Sequence, residues 1–297
     1  MPKGIIIKNV SNLYEVETQE NERYQCNARG KLKSEEISPV SGDFVTIEVI
    51  DEEKKIGIIN QIQDRKNYTK RPKMANLSQI ILVMSIKLPK PDFILLDKQL
   101  AYAEYLKIKP IICLNKIDLE KEEKIDEIAN IYEQIGYRVI KTEAKNKIGI
   151  EKIKKMLQGE ITAFSGNSGV GKSTLINGIF EDDISQEGKV SQKNQRGKNT
   201  TTQVQLYKIN NESYIADTPG FSTFDISEIE SKDLAQYFKE FRKEYIDQCE
   251  FVGCSHKKEE NCGIKQAVEE GKISKARYQR YCKIYEELKE KEARKYK

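Results

Sequence analysis

Polar and apolar positions alternate over short stretches at the start of the chain, and the pattern changes character near residue 77. "GIIIKNV", "LYEVETQ", "ERYQCNA", "DFVTIEVI" and "KKIGIINQI" are brief, partly alternating and rich in Ile, Val and Tyr. Such stretches read as strands with one buried face. They are separated by "SN", "ENE", the longer "RGKLKSEEISPVSG" and "DEE". Five short strands packed into residues 1–68 predict a small closed β-barrel of the OB-fold type, with some other five-stranded barrel as the alternative. The polar, basic, Pro-containing "DRKNYTKRPKMAN" that follows reads as a linker.

From Leu77 to about Phe224 strand and helix patterns alternate. "SQIILVMSIK" is a buried strand, "DFILLDKQLAYAEYLKI" an amphipathic helix, and "KPIICLNK" a strand ending in a turn. "EKIDEIANIYEQIG" and "GIEKIKKMLQ" are helices with the strand "YRVIKTEA" between them. "GEITAFSG" is a strand and "KSTLINGIF" a helix, followed by strands "TQVQLYKI" and "ESYIADTPG". This alternation predicts a mainly parallel sheet with helices on both faces. The rest is polar and helical. The expected domains are therefore a barrel at 1–68, an α/β domain at 69–225 and a mainly helical domain at 226–297.

With 297 residues, 38% hydrophobic and 33% charged, the chain has room for two or three domains with modest cores. Its longest apolar runs fall well short of the roughly 20 residues that cross a bilayer, and "MPKGIIIKNVSN" lacks the apolar run of a secretory leader. The expectation is a cytoplasmic protein without a membrane partner. A net charge of +4 does not by itself argue for nucleic acid. The distribution is more telling: ten Lys or Arg against four Glu from Lys272 to Lys297, and Lys189, Lys193, Arg196 and Lys198 with no acid between Gly188 and Asn199. These are either solvated faces or RNA-facing segments.

"GNSGVGKS" matches G-x4-G-K-S and sits between a predicted strand and a predicted helix, the context a phosphate-binding loop requires. Gly166, Asn167, Ser168, Gly169, Val170 and Gly171 would wrap backbone N–H groups around phosphates, with Thr174 following in the helix. Lys172 would reach the β- and γ-phosphates, and Ser173 would ligate Mg²⁺. "DTPG" ends a strand, so Asp217 would hold the Mg²⁺ shell and the Gly220 N–H would meet the γ-phosphate. "NTTT" offers a threonine for the same ion: Thr201 pairs with Ser173 as magnesium ligand, and Thr200 remains an alternative. "NKID" selects the base, because the Asp118 carboxylate can accept from guanine N1–H and its 2-amino group, whereas adenine offers an acceptor at N1. Asn115 would brace the loop and the Lys116 stem would cover a face of the base. In "EAK", Ala144 and Lys145 stand where a backbone N–H would meet guanine O6.

The base reader precedes the phosphate loop, the reverse of an ordinary GTPase. A doubly wound sheet binds ligand outside the carboxyl ends of its strands, so its loops must be neighbours in space in any chain order. Circular permutation keeps the site. In its permuted motifs, "NARGKL", "VSGD", "RPKMANLSQ" and its tail, the sequence resembles the ribosome small-subunit-dependent GTPase A family of circularly permuted GTPases.

The tail "CEFVGCSHKKEENC" spaces Cys249, Cys254, His256 and Cys262 as C-x4-C-x-H-x5-C, and His256 is the only histidine of the chain. Three thiolates and an imidazole make a closed, structural Zn²⁺ site, while Cys26, Cys113 and Cys282 are scattered. The resemblance implies a GTP hydrolase, cycling between GTP and GDP with Mg²⁺ and one Zn²⁺. It would dock on the small ribosomal subunit and 16S rRNA, assist late maturation and leave after hydrolysis. It implies no DNA partner, and the chain is expected to be a monomer. Two alternatives stand beside it: a GTP-switched RNA-binding module in which hydrolysis is incidental, and a GTPase with another RNA or membrane partner. Relatives in the family carry a His just before the threonines. Here Asn199 stands in that place, able to orient water but not to take its proton.

Overall fold

The computed structural model describes residues 1–30, 32, 38–187, 204–210, 212–217 and 226–295. In chain order the strands of the amino-terminal part are β1 (Lys3–Val10), β2 (Leu13–Thr18), β3 (Arg23–Ala28), β4 (Phe44–Asp51), β5 (Ile56–Ile62), β6 (Tyr68–Lys70) and β7 (Lys73–Ala75). Next come β8 (Gln79–Ser85), α1 (Phe93–Tyr105), β9 (Lys109–Asn115), α2 (Glu122–Glu133), β10 (Arg138–Thr142), α3 (Ile150–Leu157), β11 (Ile161–Ser165) and α4 (Lys172–Glu187). The last are β12 (Gln205–Asn210), β13 (Ser213–Asp217), α5 (Lys243–Ile246), α6 (Gly263–Glu269) and α7 (Lys275–Lys295), with a 3₁₀ turn at Ser231–Tyr237. The chain forms two compact units: Met1–Ile81, Ala144–Ser165 and Gly171–Ser222 in the first, and Leu82–Glu143, Gly166–Val170 and Thr223–Lys297 in the second.

In the first unit β1 to β5 run in the order β1-β2-β3-β5-β4, and β4 pairs back onto β1. This is the closed five-stranded barrel the alternation predicts. Its inner positions recur every second residue, so Tyr14, Val16, Tyr24, Cys26, Val45 and Ile47 meet in one core. Closure also removes the free sheet edges that would otherwise invite pairing with other chains.

The expected linker is more ordered than its polarity suggests, because β6 and β7 form an antiparallel ladder within it. The reason is a set of backbone fits with "VSGD". Gly42 has φ of +92°, and a Cβ there would lie 2.1 Å from the Ala75 carbonyl oxygen. Ala75 N–H donates to the Ser41 carbonyl at 3.0 Å and the Asn76 amide to the Gly42 carbonyl at 2.9 Å. Asp43 accepts from Val40 N–H and from both arms of the Arg65 guanidinium, at 2.7 and 2.8 Å.

Also in the first unit, β11 lies parallel to β13, and β12 is antiparallel to β13, with Lys8 of β1 bridging to Gln205 of β12. The start of β8 lies beside β11, where Ser78 N–H donates to the Ile161 carbonyl at 3.0 Å. Helix α4 runs to Glu187, past the expected end near Phe180.

In the second unit β8, β9 and β10 are neighbours in that order, β9 and β10 being parallel with Thr142 level with Asn115. Every residue of β8 is buried, as its unbroken apolar run predicts. Helix α1 and the carboxy-terminal helices share one core, built on Tyr102, Leu234, Phe238, Phe241, Tyr281 and Ile284. Inside it lies a charge cluster. The Arg277 guanidinium, 1% exposed, bonds both Asp97 of α1 and Glu240, while Arg280 bonds the other oxygen of Asp97. Two guanidinium groups thus balance two buried carboxylates. No helix among the described residues is long and apolar enough to cross a membrane.

Candidate functional site

Strand β11 ends at Ser165, and the chain turns immediately into the glycine loop. Gly166 has φ of +141°, and a Cβ on it would sit 2.1 Å from the Val83 carbonyl oxygen, so no side chain fits. Gly169 and Gly171 hold φ of +77° and +102°, the left-handed backbone that curls N–H groups inward. Asn167 is half-buried, Ser168 exposed and Val170 buried. Helix α4 starts at Lys172, its first turn closed by Leu175 N–H donating to the Gly171 carbonyl at 3.0 Å. The preceding N–H groups of such a helix start have no carbonyl within the helix and suit an anion. Ser173 and Thr174 are exposed there. Burial lowers the pKa of Lys172, a cost that a phosphate dianion would offset. In the same unit β13 runs alongside β11, with Ala163 level with Ala216, and exposed Asp217 comes next in the chain.

In the second unit "NKID" ends β9. Asn115 is 1% exposed and its amide is committed at both ends: Nδ2 donates to the Val170 carbonyl at 2.8 Å, and Oδ1 accepts from the Thr142 hydroxyl at 2.9 Å. Lys116, at φ of +63°, donates through Nζ to the carbonyls of Gly169 at 2.8 Å and Leu88 at 2.5 Å. "NKID" is therefore tied directly to two carbonyls of the glycine loop, although the two lie about fifty residues apart in the chain. Asp118 lies in a 3₁₀ turn, exposed and without an ion pair among the described residues. Buried Ala144 and exposed Lys145 open the turn that follows β10.

Two residues that reading the sequence passed over take part. Thr142 fixes the orientation of the Asn115 amide. Asp92 caps α1 through Leu95 N–H at 2.9 Å, and its other oxygen lies 3.4 Å from the Asn167 amide nitrogen. An Asp just before an apolar helix pattern is a cap signal, so this one was open to detection. Nothing in the local pattern marked Thr142. The expected roles of Asn199, Thr200, Thr201 and Gly220 fall outside the described residues.

The cysteine and histidine motif comes together in the second unit. One ligand atom from each of Cys249, Cys254, His256 and Cys262 lies within 4.8 Å of all the others. The Sγ atoms of Cys249 and Cys262 are 3.9 Å apart, and His256 Nδ1 is 3.5 and 3.4 Å from them. A tetrahedral Zn²⁺ with ordinary bond lengths would put sulfur atoms about 3.8 Å apart and sulfur and nitrogen about 3.5 Å apart. The donor set fits zinc in both chemistry and spacing. Residues around it hold the loop: His256 adopts φ of +58°, its carbonyl accepts from Tyr278 Oη at 2.8 Å, and Ser255 O accepts from Tyr281 Oη at 3.0 Å. Glu259 accepts from the N–H groups of Ser255, Lys257 and Lys258 and from the Ser255 hydroxyl. Although burial opposes it, bonds from its own N–H, from the N–H and hydroxyl of Ser255 and from the Lys257 N–H hold its carboxyl down to about 2.

Comparison with known proteins extends over nearly the whole chain. The RsgA N-terminal domain model matches residues 3–59 and the RsgA GTPase model residues 61–227. A protein of Alkaliphilus metalliredigens named small ribosomal subunit biogenesis GTPase RsgA is 42% identical over 97% of this chain and 98% of its own. One of the same name from Ruminiclostridium cellulolyticum is 40% identical over 98% and 95%. The crystal structure of YjeQ from Thermotoga maritima superposes with a TM-score of 0.83 at 37% identity, covering 97% of this chain and 98% of that one. YloQ, described as a circularly permuted GTPase, gives 0.81 at 34%, covering 98% and 96%. The chain belongs to the RsgA GTPase family.

Proposed function

We propose that this GTPase docks on the small ribosomal subunit in its GTP form, assists a late step of subunit maturation, and leaves after hydrolysing GTP to GDP. One observation carries the reading: Asn115 and Lys116 are anchored on the Val170 and Gly169 carbonyls, which supports a single nucleotide site built from "NKID" and the phosphate loop. Relatives named for small-subunit biogenesis supply the partner. In this reading Asp118 accepts from the guanine edge, with Ala144 and Lys145 at the O6 side. Gly166 to Gly171 cradle the phosphates, with Lys172 on the β- and γ-oxygens and Thr174 beside them. Mg²⁺ would be held by Ser173 and Thr201 with Asp217 behind, and would neutralise charge on the transferring phosphoryl group. Gly220 meets the γ-phosphate, and Asn199 orients the attacking water. Phosphoryl transfer draws chiefly on positioning and charge stabilisation, which an amide can support without taking a proton.

The partner surface is 16S rRNA and not DNA, the protein acts as a cytoplasmic monomer, and zinc on Cys249, Cys254, His256 and Cys262 shapes the tail. Domains at 1–68, 69–225 and 226–297 divide the tasks among barrel, GTPase and tail. GTP turnover with and without purified small subunits tests the proposal. Slow turnover alone and a large acceleration by subunits is the expected result. Brisk turnover by free protein, unchanged by subunits, would remove the ribosome from the reading.

A further inference from the structure

A cleft of about 690 Å³ opens in the first unit along the outer wall of the barrel, a volume in the range of small-molecule sites. One wall is a row across three strands. Ile5 of β1 lies level with Glu17 of β2 on one side and with Phe44 of β4 on the other. Their neighbours in register, Ile6, Val16 and Val45, fill the barrel interior, so Glu17, Ile5 and Phe44 face outward together, and Lys3 joins them two residues before Ile5.

The charges in this cleft divide into a satisfied floor and unsatisfied flanks. Glu17 is 3% exposed and accepts from Tyr214 Oη at 2.9 Å, from Lys208 at 2.7 Å and from Arg23 at 3.1 Å. Its charge is spent. The ammonium groups of Lys3 and Lys66, by contrast, are exposed and have no partner among the described residues. Phe44 keeps 38% of its surface open, and Gln63 stands beside it, its N–H donating to the Phe44 carbonyl at 2.8 Å. Exposed Glu212 also lines the cleft. An open aromatic face with free cations beside it is the pairing by which proteins hold an unpaired nucleotide: the base stacks and the phosphate is neutralised.

We propose that this cleft binds one phosphorylated nucleotide, separately from the guanine nucleotide of the phosphate loop. Its base stacks on Phe44 with Gln63 at the edge, its phosphate draws on Lys3 and Lys66, and a ribose hydroxyl donates to Glu212. The nucleotide is either free or an unstacked residue of single-stranded RNA.

The test uses the full zinc-containing chain with excess GDP to fill the phosphate loop. The probes are AMP, UMP, hexa-adenylate and hexa-uridylate, measured by equilibrium dialysis. Wild type should bind at least one probe. Phe44→Ala should weaken that binding about tenfold or more, as loss of a stacking platform does. A Lys3→Ala, Lys66→Ala double variant should weaken it and flatten its salt dependence. Unchanged GDP affinity and melting temperature show that the variants remain folded. Mononucleotides binding as tightly as oligomers would identify a free nucleotide as occupant, and oligomers binding at least tenfold tighter would identify RNA. The proposal is overturned by an absence of binding at millimolar probe, by variants that bind like wild type, or by inorganic phosphate competing as well as AMP.

Discussion

An amide at residue 118 would donate where the carboxylate accepts, and the nucleotide preference should follow. Asp118→Asn is expected to weaken GTP and admit xanthosine triphosphate, whose base offers an acceptor at the 2-position. Each lost charge-assisted bond is worth roughly 1.5–3 kcal/mol, so GTP affinity should fall at least tenfold in competition binding. Unchanged GTP affinity with no gain for XTP would refute Asp118 as base reader. Glu17 is the residue whose pH dependence is clearest. Burial pushes its carboxyl up, but hydrogen bonds from Lys208 and Tyr214 and the charges of Lys208 and Arg23 outweigh this and hold it below the usual range. A depressed carboxyl stabilises the fold above its unfolded pKa, and that stability is lost as pH falls through the folded value. Wild type should therefore lose stability below about pH 4, and Glu17→Gln should flatten that acid limb in urea melts. An identical limb in both proteins would contradict the argument. Residue chemistry was the most readable level of the sequence. Gly166, Asn115 and the cluster of Cys249, Cys254, His256 and Cys262 announce themselves by type and spacing, whereas the bond from Thr142 to Asn115 depends on strand register that no local pattern carries.

Elements were legible where periodicity was strong and misread where backbone fit replaced it. All five barrel strands and the buried β8 follow from their alternation or apolar runs. The β6–β7 ladder does not, because it is held by Gly42, Ser41 and Asn76 meeting a polar segment through backbone atoms. The loop from Cys249 to Cys262 is the opposite case, since four side chains define it and regular structure hardly enters. Zinc should therefore supply much of its order. One Zn²⁺ per chain is expected by elemental analysis. Removing it with a chelator, or replacing Cys254 by Ala, should raise hydrogen exchange across 245–265 while GDP binding persists. Protein purified without chelator yet free of zinc would count against the site.

At the scale of the whole molecule, the second unit is knitted by charges that sequence periodicity could not disclose. Arg277 belongs to a polar helix pattern, yet it is buried between Asp97 and Glu240, partners that stand 180 and 37 residues away in the chain. Removing one member of such a cluster leaves an uncompensated buried charge, which typically costs about 3–5 kcal/mol. Arg277→Met should lower the unfolding free energy measured in urea melts by that order, whereas replacing Arg277, Arg280, Asp97 and Glu240 together by apolar residues should restore much of the loss. A single variant as stable as wild type would show the cluster to be energetically idle.

The two bonds from Asn115 and Lys116 to the carbonyls of Val170 and Gly169 also bear on how a spent nucleotide is let go. In the proposed nucleotide site these bonds would lace base pocket and phosphate cradle together, so a partner that pries at either loop would slacken the other at the same stroke. Release of GDP is then expected as a single concerted opening rather than an unpicking that frees base first and phosphates afterwards.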